Sequence, residues 1–386
     1  MFLNQAAKIQ YFLNKFNRWT TFLEKSLQVS AIPTKSSKFA TQSNDMTNKK
    51  SILFIVNPIS GTMNKDLIVK DIEALIDKDR FTYRIERTAY GGHGAVLATM
   101  AAENQVDIVV AIGGDGTVNE IARSLVNTDT ALGIIPCGSG NGLARHLQIP
   151  LEYTKAIKLI NDCHIHSLDY GKVNSRPFFC TCGVGFDAAV SYQFAASIRR
   201  GILSYIENML KEILRFKPET YTIEDDSGKF SRKAFLITCA NASQYGNNVY
   251  IAPEASMSDG LMDITIIEPF SAIEAPQLAL QLVNGTLSSK GKIQMFRSKK
   301  LHITRSKNGV VHCDGDPFLA GKDITIEIFP HRLKAIVNTQ AEIRPSNLLQ
   351  TLAESLNFFV ATGNNAISQG LKQINKELRK KNPFRR

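Results

Sequence analysis

Between Ile52 and Leu147 short apolar runs alternate with runs of helical period, and few architectures accept that order. Ile52–Val56, Phe81–Arg87, Val106–Ile112 and Leu132–Pro136 read as strands. Asn64–Ile76, Gly94–Asn104 and Val118–Leu125 read as helices, and another opens at Gly142–Leu147. In the first of these helices Leu67, Ile68, Ile72, Leu75 and Ile76 share one side. Short apolar strands, each followed by a helix, predict a parallel sheet covered on both faces. Beyond about residue 168 the texture changes. Strands dominate there: Ser167–Val173, Pro177–Val184, Thr220–Glu224, Ala234–Ala240, Met262–Ile267, Lys300–Thr304, Val310–Cys313 and Asp323–Ile328. One helical segment, Asp187–Phe216, interrupts them. This predicts a mostly antiparallel β domain. The chain thus divides into an extension and linker (1–50), an α/β domain (51–168), a β domain (169–338) and a helical tail (341–386).

The ends of the α/β strands carry the chemistry. In VVAIGGDGTVNEIA, Val109–Ala122, an apolar strand drops into three glycines and one aspartate before a helix begins. Ligands of a parallel sheet bind beyond the carboxyl ends of its strands. Glycine lets the backbone approach a ligand closely, and the free N–H groups at a helix start favour an anion. Gly113, Gly114 and Gly116 therefore suit a phosphate. Asp115 repels one unless Mg²⁺ lies between them or the carboxylate handles a proton. A second glycine-rich loop, PCGSGNG, places Gly138, Ser139, Gly140 and Asn141 before a helix, and NPISG (57–61) follows the first strand. Three such turns at one sheet edge can line a single nucleotide cleft.

Several chemistries are excluded. No GxxxxGK[ST] is present, so the chain is not a Walker-type NTPase. Gly183-Val-Gly185-Phe-Asp-Ala188 matches GxGxxA, but it lies between β-rich segments rather than in the first βαβ unit. The six cysteines form no CxxC pair and read as reduced, and the seven histidines show no metal spacing. His164 and His166 read as structural.

NPISG, GGDGT (113–117) and PCGSGNGLARHL (136–147), followed by LDYGKVN (168–174), GVGFDA (183–188), APEASMSDGLMD (252–263) and CDGDP (313–317), resemble the diacylglycerol kinase catalytic-domain family in content and order. That family includes bacterial lipid kinases, sphingosine kinases and ceramide kinases. The resemblance spans about residues 51–338. It implies a Rossmann-like α/β domain similar to phosphofructokinase and NAD kinase, followed by a β-sandwich. It also implies transfer of the ATP γ-phosphoryl group to a lipid hydroxyl with Mg²⁺. By the same resemblance Gly113, Gly114, Gly116 and Thr117 would hold the triphosphate, with Gly138, Ser139 and Asn141 from the second loop. Asn57, Ser60 and Thr88 would touch the nucleotide, and Arg199 would contact phosphate more loosely. Asp115 would deprotonate the acceptor or organise Mg²⁺, Asp169 would face the acceptor, and Asp259 would bind a structural Mg²⁺. Asp316 stands where the family usually has Glu, which shortens its reach by about one methylene. Gly142 stands where many bacterial diacylglycerol kinases carry Asp, which tilts the acceptor toward a sphingoid base. An NAD or sugar kinase, or a non-catalytic lipid- or nucleotide-binding homologue, are the alternative readings.

Charge is concentrated at the ends. Residues 1–50 hold eight Lys/Arg against two acids, and 371–386 hold seven against one, so the rest is near neutral. Phe2, Ala6, Ile9, Phe12, Phe16, Trp19 and Leu23 repeat at three-to-four spacing among lysines and one arginine. This reads as an amphipathic helix on a membrane, a transit peptide, a helix packed on its own protein, or an extension translated upstream of Met46. In the tail Leu371, Ile374 and Leu378 form an apolar face ringed by Lys and Arg. Basic residues near an anionic leaflet contribute about 1 kcal/mol each. The expected partners are a lipid substrate and an anionic membrane surface, with no nucleic acid and with a homodimer left open. The expected location is cytoplasmic and peripheral to a membrane.

Overall fold

Four apolar strands build the nucleotide side of the molecule. In the computed structural model, which describes residues 49–61, 63–196, 216–271 and 273–339, these are β1 (Lys50–Val56), β2 (Phe81–Arg87), β3 (Ile108–Gly113) and β4 (Ala131–Pro136). They lie in the order β2-β1-β3-β4, all parallel. Every residue of β3 and β4 is buried, so neither alternates polar with apolar positions. Edge strand β2 does alternate. Helices α1 (Lys65–Leu75), α2 (His93–Glu103) and α3 (Asp115–Leu125) make the crossovers. Asn64 caps α1, its Oδ1 accepting from the amides of Asp66 and Leu67, while Ile68 and Ile72 enter the core. A short α4 (Gly142–His146) follows the second glycine loop.

The β domain is a two-sheet sandwich. One sheet runs β12 (Ile293–Ser298), β11 (Met262–Ile267), β10 (Leu236–Ala240), β7 (Thr181–Gly185), β14 (Gly309–Cys313), β15 (Asp316–Ala320). The other contains β13 (Lys300–Arg305), β8 (Glu219–Asp225) and β9 (Gly228–Ala234). Val184, Ile223, Ile237, Ile264, Ile303 and Ile326 share the core between them. Cys182 faces Cys239 on one neighbouring strand and Cys313 on the other. All six cysteines are free, as expected, and burial holds the Cys182 and Cys313 thiols well above their usual pKa.

Strand β16 (Asp323–Ile336) joins the two halves. It pairs antiparallel with β13 over Asp323–Glu327 and with β5 (Ile165–Val173) nearly throughout, and it touches β4 in parallel at Ala335–Leu132. One sheet of ten strands therefore runs through both halves of the described region. The expected strand Asp323–Ile328 is only the first half of β16; the register shifts between Phe329 and Leu333, around Pro330, and pairing then resumes.

Other expectations also need correction. The run Pro177–Val184 splits into β6 (Arg176–Phe178) and β7. The run Ala234–Ala240 splits at Phe235, whose N–H leaves the ladder for the Ile267 carbonyl. Strands β9, β12 and β15 and helices α5 (Tyr153–Asp162) and α7 (Ala275–Asn284) were not anticipated. The helix expected at Asp187–Phe216 is seen as α6 (Phe186–Ala196), and Phe216 is not helical. The amphipathic N-terminal segment, most of the linker, Arg199 and the basic tail lie outside the described residues.

Candidate active site

The three glycine-bearing loops meet at the carboxyl edge of the parallel sheet and pack too closely for side chains. A Cβ on Gly138 would lie 2.7 Å from the Gly114 Cα, and one on Gly114 would lie 3.2 Å from the Gly138 Cα. Gly61, at φ +59°, lies against the Cys137 carbonyl. These glycines serve loop-to-loop contact. Gly116 differs: a Cβ there would meet nothing within 4 Å, so its bare backbone faces open space.

Asp115 answers the question posed by its neighbours. Its Oδ2 accepts from the Asn141 amide at 2.8 Å and its Oδ1 from the Gly142 amide at 2.7 Å. The carboxylate thus caps α4 and ties the first glycine loop to the second. Asn141, in the left-handed region at φ 50°, locks its own loop by accepting from the Gly138 amide and donating to the Gly138 carbonyl. Asn57 Nδ2 donates to Thr117 Oγ1 at 2.9 Å, and buried Lys65 donates to the carbonyls of Ser60 and Met63.

A cleft of about 630 Å³ opens over this edge. Asn57, Ser60, Gly114, Gly116 and Thr117 line it, together with Asp316 at the start of β15. Gly113, Gly138 and Asn141 lie behind the wall as buried supports, while Ser139 is exposed and Thr88 stands outside it at the end of β2. Asp316 is exposed and has no hydrogen bond or ion pair among the described residues.

Two expected site residues are engaged within the protein. Asp169 is fully buried, with Oδ2 accepting from the Gly260 amide (2.7 Å) and Oδ1 from the His331 amide (2.8 Å). It joins two loops of the β domain and is not among the residues lining the cleft. Asp259 is engaged by its neighbours. Its Oδ1 accepts from the Leu261 amide, and the Arg297 guanidinium already sits among Asp259 (4.0 Å), Asp263 (3.0 Å) and Glu254 (3.9 Å). No cluster of three His, Cys, Asp or Glu that could hold a metal is present among the described residues.

The sequence reading missed the α3 face of the cleft. Gly116, Asn119, Glu120, Arg123 and Ser124 form one stripe down α3 into the cleft, a spacing of three and four that was visible beforehand. It also missed Asp314. That carboxylate accepts from the amides of Phe179 (2.9 Å), Cys180 (2.7 Å) and Thr181 (3.0 Å), and from Asn119 Nδ2. Burial pushes its pKa up, while the three amides and the Arg123 charge pull against that rise.

Comparison with known proteins agrees with this geometry. Residues 51–173 match the diacylglycerol kinase catalytic domain, and residues 180–337 match the YegS C-terminal NAD kinase beta sandwich-like domain. The chain thus carries a diacylglycerol kinase catalytic domain followed by a YegS-type C-terminal domain. It is 25% identical over 272 residues to a diacylglycerol kinase of Staphylococcus saprophyticus, covering 69% of this chain and 89% of that one. A Bacillus subtilis protein of the same name is 26% identical over 275 residues, covering 69% and 90%. A Bacillus anthracis structure described as a diacylglycerol kinase superposes with a TM-score of 0.61 at 22% identity, over 75% of this chain and 97% of that one. The fold is therefore the α/β-plus-sandwich arrangement expected, and the family is one of kinases.

Proposed function

We propose that this protein is an ATP-dependent kinase that transfers the γ-phosphoryl group to a hydroxyl of a membrane lipid. The observation that carries this reading is the pairing across one cleft of a bare glycine turn at a helix start with an unengaged carboxylate, Asp316. Amides at the start of α3 suit the terminal phosphates of the nucleotide. Of the three carboxylates expected to do chemistry, Asp115 accepts one amide on each oxygen and Asp169 is enclosed. Asp316 is left to take the proton of the acceptor hydroxyl. A bond forms between the lipid oxygen and the γ-phosphorus, the bond from that phosphorus to the β–γ bridging oxygen breaks, and ADP leaves with the electron pair. Mg²⁺ needs only one or two protein carboxylates beside the phosphates, and Glu120 and Asp316 are the carboxylates in the cleft wall. The metal would neutralise charge on the transferring group.

The lipid acceptor is supported by the relatives named diacylglycerol kinase and by the basic ends of the chain. No helix among the described residues is long and apolar enough to cross a membrane. Peripheral attachment on the cytoplasmic side, through residues 1–25 and the tail, brings the cleft to its substrate. The test is incubation with labelled ATP, Mg²⁺ and vesicles carrying diacylglycerol, sphingosine, dihydrosphingosine or ceramide. Label in the lipid phase supports the reading. Label transferred only to NAD or a sugar replaces it with a soluble-acceptor kinase.

A further inference from the structure

Strand β15 carries Asp316 at its start and forms one edge of the six-stranded sheet. Soluble proteins blunt such edges with charge, proline or a covering element. Pro317 does so at one end of β15. Leu319, two residues on, is 77% exposed. It stands three residues from Asp316, about 10 Å along the strand. Leu319 shares the face of Pro317, opposite to that of Asp316. Helix α6 packs on this Leu319 face, its Asp187 accepting from His312 Nε2 at 3.0 Å, and His312 is the ladder partner of Pro317. Tyr192 of α6 is 55% exposed.

The other face of β15 carries a cation. The Arg176 guanidinium, from β6, lies 4.4 Å from the centre of the Phe318 ring, and Phe318 shares the face of Asp316. Arg176 is exposed and has no ion pair among the described residues. Its charge and those of Asp314 and Asp316 all reach the Cys313 thiol, so it stands beside the turn that bears Asp316.

A lipid hydroxyl lies at the membrane interface, so the surface around its proton acceptor must meet head groups. Leucine enters the acyl boundary, tyrosine suits an interface with its apolar ring and polar tip, and a guanidinium fork fits lipid phosphates. We propose that the exposed edge of β15 docks against a phospholipid surface, with Leu319 and Tyr192 on one side and Arg176 on the other, and so orients Asp316 toward the acceptor. This rests on the lipid kinase reading and adds to it a membrane contact outside the basic ends. Pro317 lacks an N–H, which disfavours strand addition by a second copy along this edge. Leu319 and Arg176 are positioning residues and take no part in proton transfer.

The test uses the full chain. Leu319→Trp, in a Trp19→Phe background, is mixed with vesicles of phosphatidylcholine and phosphatidylserine that carry no acceptor. Its emission should move to the blue as the protein sediments with the vesicles. Unshifted emission from sedimented protein would overturn the proposal. Leu319→Glu and Arg176→Gln, checked for unchanged thermal unfolding, are then assayed on the same vesicles carrying dioctanoylglycerol. Loss of one buried apolar side chain should raise the vesicle concentration at half-maximal rate about tenfold or more in Leu319→Glu. Affinity for Mg²⁺ with a non-hydrolysable ATP analogue should stay unchanged. Arg176→Gln should bind vesicles with a weaker dependence on the phosphatidylserine fraction. An unchanged vesicle requirement in Leu319→Glu would overturn the proposal. So would a change in its oligomeric state without vesicles, which would assign the edge to a second copy. A blue shift in Leu319→Trp with no phosphorylated lipid from the wild type would sink the kinase reading while leaving the docking edge standing.

Discussion

Gly114 and Gly116 sit two residues apart and do different work. Gly114 lets one loop press against another, so Gly114→Ala forces a Cβ to 3.2 Å from the Gly138 Cα and should lower stability by about 1–3 kcal/mol. Gly116→Ala meets nothing in the protein and should fold normally while weakening nucleotide binding. Chemical denaturation paired with nucleotide titration separates the two effects, and equal destabilisation by both would refute the distinction. Asp316→Asn removes the proton acceptor and should lower kcat by about 10²–10⁴-fold with nucleotide affinity retained. In Asp115→Asn one of two accepted amide bonds is lost, so stability should fall by about 1–3 kcal/mol before any question of catalysis arises. The sequence singled out Asp115, Asp169 and Asp316 alike, because one carboxylate in a motif looks like another. Their separation came from partners far along the chain, such as His331 for Asp169.

Helix α4 has five residues and is held by what surrounds it. Its last residue, His146, lies against Ser243, accepting from the Ser243 amide at 3.1 Å, and burial pushes its pKa from 6.5 down to about 4. The unfolded chain therefore binds a proton on His146 between these values and the folded chain does not. Stability contributed by neutral His146 is nearly complete above pH 7 and falls as the pH drops toward 4, by about 3 kcal/mol. Urea midpoints at pH 7 and pH 5 should differ less in His146→Gln than in the wild type; an equal drop in both would remove His146 as the cause. Elements with a clear period, such as α1 and the strands of the parallel sheet, were legible beforehand because periodicity is local. Helix α7 was not, since none of its residues is fully buried. Strands β9 and β15 are largely exposed at the sandwich margin, so they carry little apolar pattern to read.

Across the whole molecule β16 matters most, because its first half belongs to the sandwich and its second half lies between β5 and β4. Two motif-defined regions thereby share a sheet, while Asp316 stands on β15 of the six-stranded sheet packed against it. We expect the described region to unfold in a single transition, with equal calorimetric and van't Hoff enthalpies. Two resolved transitions would show that β16 does not couple the halves. Pro at Ala335, a fully buried strand position, should lower the melting temperature markedly by removing a ladder donor.

Alternation of period along the chain was enough to place a parallel sheet before an antiparallel one and to put the glycine turns at one edge, since backbone geometry answers to nearest neighbours. The ordered motifs were enough to indicate the family. The tertiary structure alone decided which carboxylate remains free and which aspartates became joints. Hydrogen bonding and burial depend on contacts from segments distant in sequence, such as Asn119 with Asp314 and Asp169 with His331. No local pattern encodes those contacts.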